Sequence, residues 1–251
     1  MADNYNEIDN VFFNDGYQLA ENILKDFVSP GGLLHLTETL YANIDDLLEV
    51  FETRIKQENQ IIDCKKVCHW CCTQAVFINP RETQYITEYI KSKFEAKELS
   101  VLKSKVSSKD LNTKNMSLKN VLANKDDCPF LKEKTCSIYP VRPMACRIYL
   151  SMNLESCKDF FKHPESKTDY AKLYSFPLHA GRMLSEGIAA FLREKKIDVP
   201  VLSLESAMNH ILNTENAIES WLSGEVMFPA PDYSDKEYED LKKYEMNEFG
   251  S

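Results

Sequence analysis

Apolar positions recur every three or four residues through most of the chain, the period of helices buried on one face. The clearest run is Leu33, Leu36, Leu40, Ile44, Leu47, Leu48, Phe51 and Ile55, with an acidic and polar opposite face. An earlier segment, Ile8 to Val28, carries Val11, Phe12, Tyr17, Ala20, Ile23, Leu24 and Phe27 at similar spacing. Asn14-Asp15-Gly16 is expected to interrupt its first turns and Pro30-Gly31-Gly32 to end it. Ala75 to Ile78 reads as a short extended piece. Asn79-Pro80-Arg81-Glu82 then has a full helix-start signature, with Asn79 as N-cap, Pro80 in the first turn and Glu82 at the capping-box position. Tyr85, Ile86, Tyr89, Ile90 and Phe94 form that helix's apolar stripe. Two later helices are predicted over residues 178–195 and 204–222, the second capped by Ser203 and stopped by Gly224.

Two stretches lose the period. Residues 103–127 are rich in Lys, Ser, Asn and Asp with few apolar anchors, and read as a flexible insertion. Residues 128–160 contain Pro129, Pro140 and Pro143, which argue for loops and short turns. The tail from Pro229 is charged and tyrosine-rich, either disordered or strapped over the surface. No internal repeat or heptad is present. The pattern predicts a single, mainly α domain: a helical scaffold around an irregular cysteine-rich region. Its parts are N-terminal helices (1–60), the cysteine region (61–160), C-terminal helices (161–228) and the charged tail (229–251).

At 251 residues the chain is long enough for a substantial core, and 43% hydrophobic and 27% charged residues are ordinary for a globular protein. The net charge of −9 changes the picture by disfavouring nucleic acid, whose phosphates an acidic surface repels. The first residues lack the basic-then-apolar order of a signal peptide, and no stretch approaches the roughly 18 apolar residues of a membrane span. The expected compartment is the cytoplasm, where thiols stay reduced.

The eight cysteines therefore call for a reason other than disulfides. All lie between Cys64 and Cys157. Four occupy CKKVCHWCC, residues 64–72. On a helix, Cys64, Cys68, Cys71 and Cys72 would share about a third of the circumference. In a loop, Cys68 and Cys71 still form a C-x2-C chelating unit. Cys128, Cys136, Cys146 and Cys157 are spaced too irregularly for one helix face and suit a loop wrapped round an inorganic centre. Cys128 precedes proline, as some cluster-ligating cysteines do. Thiolates select zinc, copper(I) or iron–sulfur clusters. A metal at such a site can contribute about 10 kcal/mol or more to folding, which would offset the weak regular structure of residues 128–160. The competing readings are a reduced cysteine-rich core and, less favourably, disulfides; adjacent Cys71 and Cys72 cannot easily bridge each other.

The ordered set CKKVCHWCC (64–72), CPFL (128–131), CSIYPVRPMACRIY (136–149) and Cys157 resembles the CxxCxxCC family of zinc- or iron-chelating proteins, which includes flagellin lysine-N-methylase. The likeness covers roughly residues 60–160. It departs at the first gap, between Cys64 and Cys68, which here is three residues rather than two. The resemblance implies metal binding by Cys64, Cys68, Cys71, Cys72, Cys128, Cys136, Cys146 and Cys157, as a 4Fe-4S iron–sulfur cluster or as zinc. Its methylase branch implies a second reading: an enzyme that uses S-adenosylmethionine to methylate lysines of a protein substrate. No Gly-rich nucleotide fingerprint, P-loop or nucleophile elbow accompanies it. A third reading is metal storage or trafficking, which calls for open, exchangeable sites.

Around the cysteines, His69 is a candidate ligand or sulfur partner, and Arg142 and Arg147 are candidates to offset the negative charge of a metal–thiolate centre. Trp70, Tyr139 and Tyr149 are expected to shield it from water. His35, His163, His179 and His210 are scattered and receive no role.

Overall fold

A computed structural model describes residues 7–65, 67–164, 170–231 and 233–245; the outermost residues of the expected tail lie outside these. The chain is mainly α, 65% helical with 4% strand. The chain opens with two helices, α1 (Glu7–Leu24) and α2 (Pro30–Gln57). Asn14-Asp15-Gly16 does not interrupt α1. Gly16 instead lies where a Cβ would collide with the Leu184 carbonyl, and Gly187 meets the Phe13 carbonyl in the same way. The two glycines let α1 close against the parallel helix α8 (Ser175–Glu194), with Asp9 meeting His179 near their starts and Lys25 meeting Lys195 just past their ends. Pro30-Gly31-Gly32 likewise starts a helix rather than ending one. Ser29 caps α2, accepting from the Gly32 amide at 3.1 Å, and Pro30 occupies the first turn, where its missing N–H is no loss.

Phe77–Ile78 forms β1, which pairs antiparallel with β4 (Leu202–Ser203). α3 (Pro80–Lys93) starts with the predicted capping box between Asn79 and Glu82. The expected flexible insertion is largely helix: α4 (Ala96–Thr113) and α5 (Leu118–Ala123) cover most of residues 103–127. Leu102, Val106, Asp110 and Thr113 keep a helical interval and are buried, so a sparse stripe sufficed. Polar bonds supply the rest. Asn209 donates to Asp110 at 2.8 Å and Thr113 to Glu205 at 2.9 Å, joining α4 to α9 (Leu204–Asn213).

The cysteine-bearing turns follow as the hairpin β2 (Leu131–Lys132) and β3 (Thr135–Cys136), α6 (Met144–Arg147) and α7 (Leu154–Lys162). The helix predicted over 204–222 is two: Asn216 takes a left-handed conformation (φ 50°) and separates α9 from α10 (Ala217–Ser223). Ser203 caps α9 and Gly224 (φ 76°) ends α10, as the sequence predicts. The tail is strapped down through α11 (Asp235–Glu245), whose Leu241 packs with Phe77, Leu118 and Val121 in a small second core. Among the described residues no helix is long and apolar enough to cross a membrane.

Candidate metal centre

The first cysteine run is not helical. Val67 lies in the left-handed region (φ 66°), which a β-branched residue rarely adopts, and this turn stops any helix through Cys64 and Cys68. Cys71 and Cys72 sit on a 3-10 turn, Trp70–Thr73. The one-face arrangement is thus replaced by the loop alternative. The Cys128 amide donates to the Cys72 carbonyl at 2.7 Å, tying the second run to the first. Glu133 and Lys134 both have positive φ (51° and 63°), the turn that matches hairpin twist, and bring Cys136 opposite Leu131. Pro143 precedes α6, which carries Cys146. Cys157 rides on α7, capped by Asn153.

This folding gathers the eight reduced thiols into two neighbouring sets. Cys72, Cys128, Cys136 and Cys146 form the first: each lies within electrostatic reach of the other three. Cys64, Cys68 and Cys157 are mutually coupled in the same way. Ser151 joins the second set, its amide donating to Cys64 Sγ at 3.3 Å and its hydroxyl hydrogen-bonded to Cys157 Sγ at 3.2 Å. Cys71 stands between the sets, coupled to Cys64 and Cys146 and hydrogen-bonded to Cys72. As the side chains stand, no three ligating groups among the described residues close round an ion. The donor chemistry nonetheless fits a soft metal: eight thiols, unpaired in disulfides, in one region. In Cys128-Pro129-Phe130 and in Cys136-Ser137-Ile138, moreover, the amide two residues on points at the sulfur, as a thiolate requires.

Burial dominates the thiol acidities. It pushes Cys128 up to about 12 and Cys64 to about 11, and holds Cys146 well above the ordinary thiol value. Cys136 and Cys157 are raised for the same reason. The Cys71–Cys72 hydrogen bond raises Cys71 and lowers Cys72. Without a metal, then, most of these groups are neutral thiols near pH 7.

The two arginines part company. Arg142 acts on Cys136 and Cys146, its charge favouring the thiolate form of both against the effect of burial, while stacking 4.1 Å over Tyr139. Arg147, 1% exposed, turns away: it pairs with Asp45, donates to the Pro140 carbonyl at 2.8 Å and lies over Tyr41. It holds the fold rather than the thiols. The second cation is Lys109, from the helix read as insertion. It donates to the Asp126 carbonyl at 2.9 Å, and its charge favours the thiolates of Cys72 and Cys128. Position in sequence gave no signal for it. Tyr139 is 59% exposed and shields nothing. Trp70 packs between His69 and Phe161, and His69 Nδ1 faces the Val67 carbonyl at 3.5 Å rather than a sulfur. A cavity of about 40 Å³ lies against Cys71, Cys146 and Tyr149.

Residues 63–171, a span that includes all eight cysteines, match the family model of the CxxCxxCC domain, described as a "putative zinc- or iron-chelating domain". The cysteine-bearing part of the chain is therefore similar to domains of that family, and helical segments flank it on both sides. Searches of curated proteins and of solved structures returned no match.

Proposed function

We propose that the protein binds metal at two adjacent thiolate centres. The inner centre is held by Cys72, Cys128, Cys136 and Cys146, the outer by Cys64, Cys68, Cys71 and Cys157. The observation that carries this reading is the mutual coupling of all four inner thiols, drawn from three separate segments of chain. Four thiolates complete either a tetrahedral zinc site or a [4Fe–4S] cluster. The iron–sulfur reading is preferred, because Cys128 precedes proline and two sulfurs accept backbone amides, a common means of tuning a cluster. A bound cluster would supply one-electron chemistry, and zinc would supply a structural tie. Around either, the chain's own residues exclude water and offset charge. Trp70 and Phe161 pack edge to face, joining the turn of Cys71 and Cys72 to the helix of Cys157, and Arg142 and Lys109 supply positive charge to the inner set.

The test is protein purified without oxygen, its absorption spectrum, and metal and acid-labile sulfide analysis of the same sample. Two centres' worth of metal, reduced to one by Cys146→Ser and separately by Cys68→Ser, supports the reading. Iron with sulfide identifies clusters, and zinc alone identifies structural centres. Folded, metal-free protein would overturn the proposal.

A further inference from the structure

A second cavity has no cysteine in its wall. Of about 330 Å³, it opens between α4, α9 and the strap at Pro229, Pro231 and Tyr233, and is within the size range of small-molecule pockets. Asp110 forms part of its wall. That carboxylate is 8% exposed; its Oδ2 accepts from Asn209, and its Oδ1 is shielded from solvent with no hydrogen-bond partner. His210, on the same wall, has a shielded Nε2 that also lacks a partner. Glu205, 5% exposed, stands behind Thr113 and acts on Tyr233, so a second buried carboxylate adds to the negative potential. Buried carboxylates ordinarily have a cation or a full set of donors. Asp110 has one neutral donor. Lys114 also lines the cavity but is solvent-exposed, where its charge is screened.

We infer that this cavity binds a small organic cation, an amine or guanidinium, whose N–H groups meet Asp110. The wall chemistry decides between classes of ligand. Hard divalent ions gather several carboxylate or carbonyl oxygens, whereas the other groups lining this cavity are mostly hydroxyl, amide, imidazole and apolar. One carboxylate within a partly apolar wall of this size suits a single charged head on an apolar stem. Tyr233, held neutral by burial and by the field of Glu205, remains available as a further partner.

The probes are putrescine and agmatine, titrated calorimetrically into the full chain with its native metal, with 1,4-butanediol as the uncharged match in length. Saturable binding of at least one cation, about tenfold or more tighter than the diol, is expected. Asp110→Asn should weaken it at least about tenfold. Ser206→Phe, which fills the cavity, should abolish it, and both variants should keep wild-type metal content. No saturable cation binding, equal binding of the diol, or unchanged affinity in either variant would overturn the inference. If Asp110→Asn fails to fold, Ser206→Phe decides alone. Because metal content is read separately, this result and the fate of the thiolate centres are independent.

Discussion

Glu82 is the buried junction on which the position of Cys146 depends. It is 4% exposed, and its carboxylate accepts four bonds. Oε1 takes the Tyr41 hydroxyl at 2.7 Å and the Met144 amide at 2.8 Å. Oε2 takes the Asn79 amide at 3.3 Å and the Asn79 side-chain nitrogen at 2.9 Å. One side chain thus fastens α2, the start of α3 and the first residue of α6, two residues before Cys146. Glu82→Gln keeps the shape and replaces one acceptor by a donor. Whichever way the amide turns, two donors then face a third. Two bonds to a charged acceptor are lost, at about 1.5–3 kcal/mol each. Partial relaxation puts the expected loss near the lower end, about 3 kcal/mol. For a chain of this size that lowers Tm by roughly 6–12 °C. Tyr41→Phe removes one of the four donors and should cost about 1.5 kcal/mol, the lower end of the same range. The assay is chemical denaturation of the three proteins, with metal content measured before unfolding. Glu82→Gln should also lose metal faster to a chelator, because the Met144 amide no longer anchors α6. A loss below about 1 kcal/mol, or wild-type metal retention, would refute the junction.

Other outcomes follow from single contacts. Gly187→Ala should destabilise by about 1–3 kcal/mol in denaturant, since its Cβ would meet the Phe13 backbone and the two helices would have to move apart. Lys125, desolvated and 4.1 Å from the Phe160 ring centroid, has its pKa lowered to about 8. Between that value and its ordinary value of about 10.4, the unfolded chain binds the proton and the folded chain does not, so its contribution to stability rises with pH across this window. Lys125→Met should therefore be more stable than wild type at pH 7, with an advantage that shrinks towards pH 10. An advantage independent of pH, by thermal melts across that range, would refute burial of the ammonium.

What the sequence made legible was local. The stripe of α2, the Asn79–Glu82 cap, the Ser203 cap and the Gly224 stop each rest on residues within a few positions of one another. The ordered cysteines also marked the stretch that the family model matches. What escaped was carried by distant partners. α4 lacked apolar residues enough to be read, because part of its anchoring is polar and comes from α9, through Asp110–Asn209 and Thr113–Glu205. Missing α4 meant missing Lys109. Arg147 stands next to Cys146 in sequence, yet Asp45, 102 residues away, claims it. Val67 defeated the helical reading of the first cysteine run by taking a conformation its residue type disfavours.

That charge arrangement makes the two thiol sets unequal. At neutral pH, loading a divalent ion onto four buried thiols releases protons and leaves a site with two net negative charges. Fixed cations nearby therefore favour the loaded state, and fixed anions oppose it. The inner set has Arg142 and Lys109 beside it, against Asp127. The outer set has Asp63 acting on Cys64 and Cys157, and Cys64, though its sulfur is desolvated, is an exposed residue. Each such charge is worth on the order of 1–2 kcal/mol through a protein wall, or about tenfold in affinity. A chelator should accordingly strip metal in two phases, the outer centre first. In a Cys68→Ser background, where only the inner centre remains, the fast phase should vanish. Lys109→Gln and Arg142→Gln should each speed the slow phase by up to about tenfold and leave the fast phase unchanged. A single phase in the wild type, or a slow phase indifferent to both cations, would mean that these charges do not set the order.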